Sequence, residues 1–151
     1  MKPFRFRFES VDRVRKIALD EQRRAFYRAQ SKVQELVDEK NRLLQILEGE
    51  VKRQREVVRV DDLPELSRNF KKQLRLKIDE QDAKILTAKQ AVYEQRKVLN
   101  QRLKDKRIME ILRDKEREKY NEERDSAETR ELDDASASIW IFRRRTELSS
   151  S

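Results

Sequence analysis

From Phe26 to Leu47 the apolar positions advance in alternating steps of three and four. Phe26, Ala29, Val33, Leu36, Leu43 and Leu47 keep that spacing, Leu19 and Val51 are further apolar positions on either side, and Lys40 is the one polar break. A repeat of 3.5 residues is that of a helix whose narrow apolar seam meets another helix. The pattern runs from Val11 to about Val58 without a proline, predicting a first helix over about 10–58. Ser10 serves as its N-cap, or as a first-turn residue of a helix that starts slightly earlier. Acids precede bases by four residues at Glu9–Arg13, Asp12–Lys16, Asp20–Arg24, Asp38–Arg42 and Glu48–Lys52. Each such pair supports a helix by about 0.3 kcal/mol.

Val60-Asp61-Asp62-Leu63-Pro64-Glu65 interrupts the pattern. Asp62 with Glu65 resembles a capping box, and Pro64 suits a first helical turn. A turn over about 59–62 and a second helix from about 63 follow. The second seam holds Phe70, Leu74, Ile78, Ile85, Ala88, Val92, Leu99 and Leu103, with Gln81 and Gln95 as polar interruptions. So short a connection favours antiparallel neighbours. When facing residues have numbers summing to about 121, the seams match. Val51 then meets Phe70, Leu47 meets Leu74, Leu43 meets Ile78, Leu36 meets Ile85, Val33 meets Ala88 and Ala29 meets Val92. Lys40 falls opposite Gln81, and polar positions placed together hold a register at some cost in stability. The expected fold is all-α: a long antiparallel two-helix coiled-coil hairpin, about 70 Å long at 1.5 Å per residue, whose second helix extends beyond the first.

In this register Val11 lies opposite about Glu110, so nothing helical stands beside the chain after Leu112. Between Arg113 and Asp134, 16 of 22 residues are charged. Such a segment is either a single exposed helix or a disordered tail. The hairpin is assigned to 1–135, with helix 2 reaching about 134. Residues 136–151 form a flexible tail, basic and aromatic through Ser138-Ile-Trp-Ile-Phe-Arg-Arg-Arg and then serine-rich.

Composition narrows the chemistry. Charged residues make up 45% of the chain, with one Gly and two Pro, which suits long helices and not a globule. Without Cys or His there are no zinc ligands, thiol nucleophiles, disulfides or histidine acid–base pairs. Gly49 lies within a helix, so no glycine-rich phosphate loop exists. Asp61-Asp62 and Glu122-Glu123 read as caps and solvated faces. No enzyme activity, metal or cofactor is expected. The net charge of +8 is interleaved with acids along the helices. A dense basic stretch before a parallel zipper, the mark of a basic nucleic-acid-binding coiled coil, is missing. No run approaches the ~20 apolar residues of a membrane span, and Met1–Phe8 is no signal peptide, so a cytoplasmic location is expected.

Two aromatic–basic clusters stand out. Phe4, Phe6 and Phe8 alternate with Arg5 and Arg7; they either grip a partner or lipid headgroups, or cover the end of the helix pair. Trp140 and Phe142 beside Arg143, Arg144 and Arg145 either dock on a partner or membrane surface, or belong to a disordered tail.

Three features in order resemble the flagellar export protein FliJ family of the bacterial flagellar type III secretion apparatus. They are the opening Phe4-Arg-Phe-Arg-Phe-Glu-Ser-Val-Asp-Arg-Val-Arg with Glu21-Gln22, the Phe70-to-Leu74 step early in helix 2, and the charged run from Lys115-Glu-Arg-Glu-Lys-Tyr to Glu131-Leu-Asp-Asp-Ala. The resemblance covers roughly 1–135; Ile139–Arg145 has no counterpart in it. It implies a non-enzymatic coiled-coil stalk, similar to the γ subunit of rotary ATPases, in the central pore of the export ATPase hexamer. It also implies contact with the cytoplasmic side of the membrane export gate, the handling of export chaperones, and a peripheral place at the inner face of the cell membrane. Carried over position by position, the gate contact falls at Phe70 and Leu74, with Lys77 and Gln81 where the family has a small residue and a histidine. Other readings are a generic coiled-coil scaffold, the equivalent stalk of a virulence-type secretion system, and thirdly a nucleic-acid binder.

Overall fold

A sequence this rich in charged side chains and this poor in glycine and proline sustains helices of unusual length. The computed structural model describes residues 2–56 and 63–150. In it, α1 runs over Glu9–Glu56 (48 residues) and α2 over Leu63–Ser149 (87 residues). Residues 57–58 at the expected end of helix 1, the expected turn over 59–62 and the Asp62 half of the capping box lie outside the described residues. Ser10 sits in the first turn of α1, not before it. Glu9 and Asp12 occupy that turn and Arg53 and Arg55 the last one, which suits the helix dipole at both ends.

The chain divides into two compact units, Lys16–Lys104 and Met1–Arg15 with Asp105–Ser151. In the first unit α1 and α2 pack antiparallel. Leu43, Leu74 and Ile78 form a buried cluster with Leu47 against it, and Leu19, Phe26 and Ile85 are buried too. Ala29, Val33, Leu36, Ala88, Val92 and Leu99 are half-buried. Burying each large side chain stabilises the pairing by roughly 1.5–3 kcal/mol.

Polar contacts show the register. The Gln22 side-chain amide donates to Gln95 Oε1 at 2.6 Å and to the Gln95 carbonyl at 3.1 Å. Gln81 Nε2 donates to the Leu36 carbonyl at 3.0 Å, and Ser67 Oγ donates to Glu50 Oε1 at 3.0 Å. Lys71 Nζ donates to Gln54 Oε1. These residues interleave with the apolar ones as one continuous alternation of three and four on each helix: 19, 22, 26, 29, 33, 36, 40, 43, 47, 50, 54 on α1, and 67, 71, 74, 78, 81, 85, 88, 92, 95, 99 on α2.

Several expectations need correction. Phe70 is 46% exposed, because stepping back from Leu74 by three and then four reaches Lys71 and Ser67 and leaves Phe70 to one side. Its expected partner Val51 is half-buried, while Glu50 and Gln54 take the seam positions near the turn. At the polar break of Lys40 and Gln81, Lys40 Nζ reaches Asp82, the neighbour of Gln81, at 2.6 Å, a long arm finding a carboxylate at the rim. Leu103 is exposed. On the outer faces Asp20 pairs with Arg23 and Arg42 with Glu39, both at i,i+3 spacing instead of the expected i,i+4.

Candidate interaction surfaces

The second unit is built around the N-terminal segment. Residues 2–6 have no regular secondary structure, and the chain turns into α1 with Glu9 N–H donating to the Phe6 carbonyl at 3.2 Å and Asp12 N–H to the Phe8 carbonyl at 2.9 Å. Phe6 is buried, with the Arg113 guanidinium over its ring at 5.0 Å. Phe4 packs on Tyr120 at 5.5 Å between centroids, with Arg117 over it at 5.8 Å. The Tyr120 hydroxyl donates to the Lys2 carbonyl at 2.6 Å, and Arg7 N–H to Glu116 Oε2 at 3.3 Å.

Arithmetic explains the fit. Two residues of extended chain advance about 6.6 Å, and four residues of helix about 6 Å. Phe6 and Phe4 therefore stay in step with Arg113 and Arg117, while the intervening Arg5 remains exposed. The segment after Leu112, expected to lack a helical partner, is thus accompanied by the chain's own N-terminus as far as Tyr120. Phe4, Phe6 and Phe8 thus pack on their own chain, with Phe8 half-buried against Phe6. Arg113 closes the unit by donating to Glu9 Oε2 at 2.7 Å and Asp12 Oδ2 at 3.0 Å.

In the hairpin unit the four positions that the resemblance singles out on α2 separate by exposure. Leu74 (4% exposed) and Gln81 (6%) point into the seam, whereas Phe70 and Lys77 are exposed. Phe70 lines an open groove with Ile46, Glu50, Arg53, Leu66 and Ser67. A protein approaching this face meets Phe70, Leu66 and Lys77, and reaches Leu74 and Gln81 only if the helices part. Leu66 and Ile46 were missed from sequence; Leu66 lies one turn before Phe70, on its face.

Helix α2 continues through the segment read as a tail, and every residue from Glu128 to Ser150 is exposed. Trp140 (59% exposed) carries the Arg144 guanidinium over its ring at 5.1 Å, and Phe142 is 72% exposed. Among the described residues, clear pKa shifts fall on Glu39 and Arg42. A hydrogen bond from Arg42 holds the Glu39 carboxyl below its ordinary range, and the same bond raises Arg42. This is an exposed i,i+3 pair on one helix, with none of the burial and convergence of an acid–base site. Among the described residues no helix is long and apolar enough to cross a membrane.

The family model described as "Flagellar FliJ protein" matches residues 4–145, nearly the whole chain and including Ile139–Arg145. Neither a curated protein nor a solved structure matches.

Proposed function

The chain belongs to the flagellar FliJ family, components of the flagellar export apparatus, and from that premise we propose that it works as a non-enzymatic stalk of the export ATPase ring. In this reading the hairpin sits in the central pore of the hexamer, and the face carrying Phe70 and Lys77 meets the cytoplasmic side of the membrane export gate. The same chain escorts export chaperones, at the inner face of the membrane at the flagellar base. The observation that carries the reading is the family match across both helices and the N-terminal segment. The hairpin supports it physically: its seam is filled by its own second helix, which leaves charged outer faces for a ring to grip and turn against.

The test is to titrate the purified chain into the export ATPase of the same bacterium. The chain alone is expected to hydrolyse no ATP, while turnover and hexamer formation rise with added chain. No change in either at saturating protein would refute the stalk reading. Phe70→Ala is expected to leave that stimulation intact while weakening capture by the cytoplasmic domain of the gate protein; unchanged capture would remove Phe70 from the contact.

A further inference from the structure

The end of α2 joins exposed apolar side chains to a run of three adjacent arginines. The three arginines stand together between Asp133-Asp134 before them and Glu147 after them, at the end of an acidic stretch from Arg113 to Asp134. Leu132, Ala135, Ile139 and Phe142 follow one another by three, four and three residues, so they share one face of the helix. Arg143 and Arg145 border that face on its two sides, as do Glu131 and Glu147. Trp140 is one position round from Ile139, with Arg144 stacked on its ring at 5.1 Å. Leu132, Ile139 and Phe142 are all exposed.

We propose that this last stretch of α2, centred on Ile139–Arg145, is a docking surface for an anionic lipid bilayer, on which the helix lies in the plane of the headgroups. The apolar face enters the acyl boundary, Arg143 and Arg145 reach outward to phosphates along its edges, and the indole of Trp140 sits at headgroup level. Charge decides between this and another helix as occupant. A partner helix seated on Ile139 and Phe142 would have to accommodate three adjacent guanidinium groups, whereas an anionic surface meets them everywhere. The segment is too short to span a bilayer, so the attachment is peripheral. This goes beyond the stalk reading and does not rest on it, since vesicles contain no export protein.

Trp140 is the only tryptophan in the chain, so its fluorescence reports on this site alone. The full-length protein is mixed with vesicles of phosphatidylcholine, with or without about one-third phosphatidylglycerol. Anionic vesicles are expected to shift Trp140 emission to the blue and to co-sediment the protein. Neutral vesicles are expected to do neither, and added salt to reverse both. Replacing Arg143, Arg144 and Arg145 together by Gln is expected to weaken co-sedimentation at least about tenfold. Phe142→Ser is expected to weaken it while leaving the salt dependence. No blue shift at saturating anionic lipid would overturn the proposal, as would undiminished binding by the triple-Gln variant. A blue shift that appears without vesicles as protein concentration rises would also overturn it, by assigning the face to a second copy of the chain. A shift produced by the purified export ATPase and not by vesicles would assign the face to a protein.

Discussion

Asp12 and Arg113 stand 101 residues apart in the chain, yet the guanidinium donates to the Asp12 carboxylate at 3.0 Å, and Asp12 is only 6% exposed. The same guanidinium bonds Glu9 and covers the Phe6 ring, so one side chain ties the start of α1, the N-terminal segment and α2 together.

Arg113→Ala is therefore expected to destabilise the unit containing it by about 1–3 kcal/mol, the cost of depriving a buried carboxylate of a charged donor. Arg113→Lys should recover only part of that, because an ammonium cannot bridge two carboxylates while lying flat on a ring. Arg107→Ala is the control: Arg107 makes an exposed i,i+3 pair with Glu110, and its loss should cost less than about 0.5 kcal/mol. Thermal unfolding followed by circular dichroism measures all three, and equal losses for Arg107 and Arg113 would contradict the role given to Arg113.

The N-terminal segment should behave as a clasp. Phe6→Ala is expected to cost up to about 3 kcal/mol, and deletion of residues 1–8 to free the helix around Tyr120 for amide exchange. Amides around Leu43 and Ile78 should keep their protection, since they lie in the other unit. Uniform loss of protection along both helices would show that the segment holds more than its own unit.

Much of the hairpin was legible because a 3.5-residue repeat is local and self-consistent. Leu43, Leu47, Leu74 and Ile78 sit where the register puts them. The reading failed where polar residues hold seam positions. Ser67 and Lys71 carry the repeat to the turn, and Phe70, the nearest large apolar residue, was taken in their place. Gln95 was seen as an interruption, but its partner Gln22 was not, because a lone Gln between Leu19 and Phe26 carries no signal of its own. The clasp was illegible for a different reason. Its α2 side is Arg113, Glu116, Arg117 and Tyr120, a stretch without apolar periodicity, joined to the phenylalanines by guanidinium–ring contacts and backbone hydrogen bonds. Only the matching advance of extended and helical chain, which requires knowing that the two run side by side, makes the pairing visible. The family likeness points to Phe70 and Leu74, and in part to Lys77 and Gln81; burial separates Phe70 and Lys77 from Leu74 and Gln81.

The amide pair in the seam gives a third prediction. Replacing Gln22 and Gln95 together by Leu should raise stability by on the order of 1 kcal/mol per side chain, through added apolar burial. It should also loosen the choice of partner, so that oligomers appear in sedimentation at concentrations where the parent is monomeric. A more stable variant that remains strictly monomeric would show that the pair does not serve specificity.

The Glu39–Arg42 pair titrates in a known direction. Because the folded carboxyl is held below its ordinary range, its contribution is present above the unfolded pKa and fades as pH falls through the folded one. Both side chains reach solvent, so the acid limb of the stability curve should hardly change in Arg42→Ala. The Glu39 side-chain carbon, followed by NMR, should titrate below other exposed glutamates in the parent and rejoin them in the variant. A midpoint unmoved by the substitution would refute the hydrogen bond as the cause.

The central claim is that the closed hairpin of a single chain is the working form. With no native Cys, Leu36→Cys with Ile85→Cys places the only two thiols on facing seam positions. Oxidation should give an intramolecular disulfide in the monomer with helix content unchanged. The decisive measurement is stimulation of the export ATPase by this protein, oxidised against reduced. Equal stimulation is expected in the two states. Stimulation lost on oxidation and regained on reduction would mean that the helices must part to act, and crosslinks formed only between chains would contradict the hairpin itself.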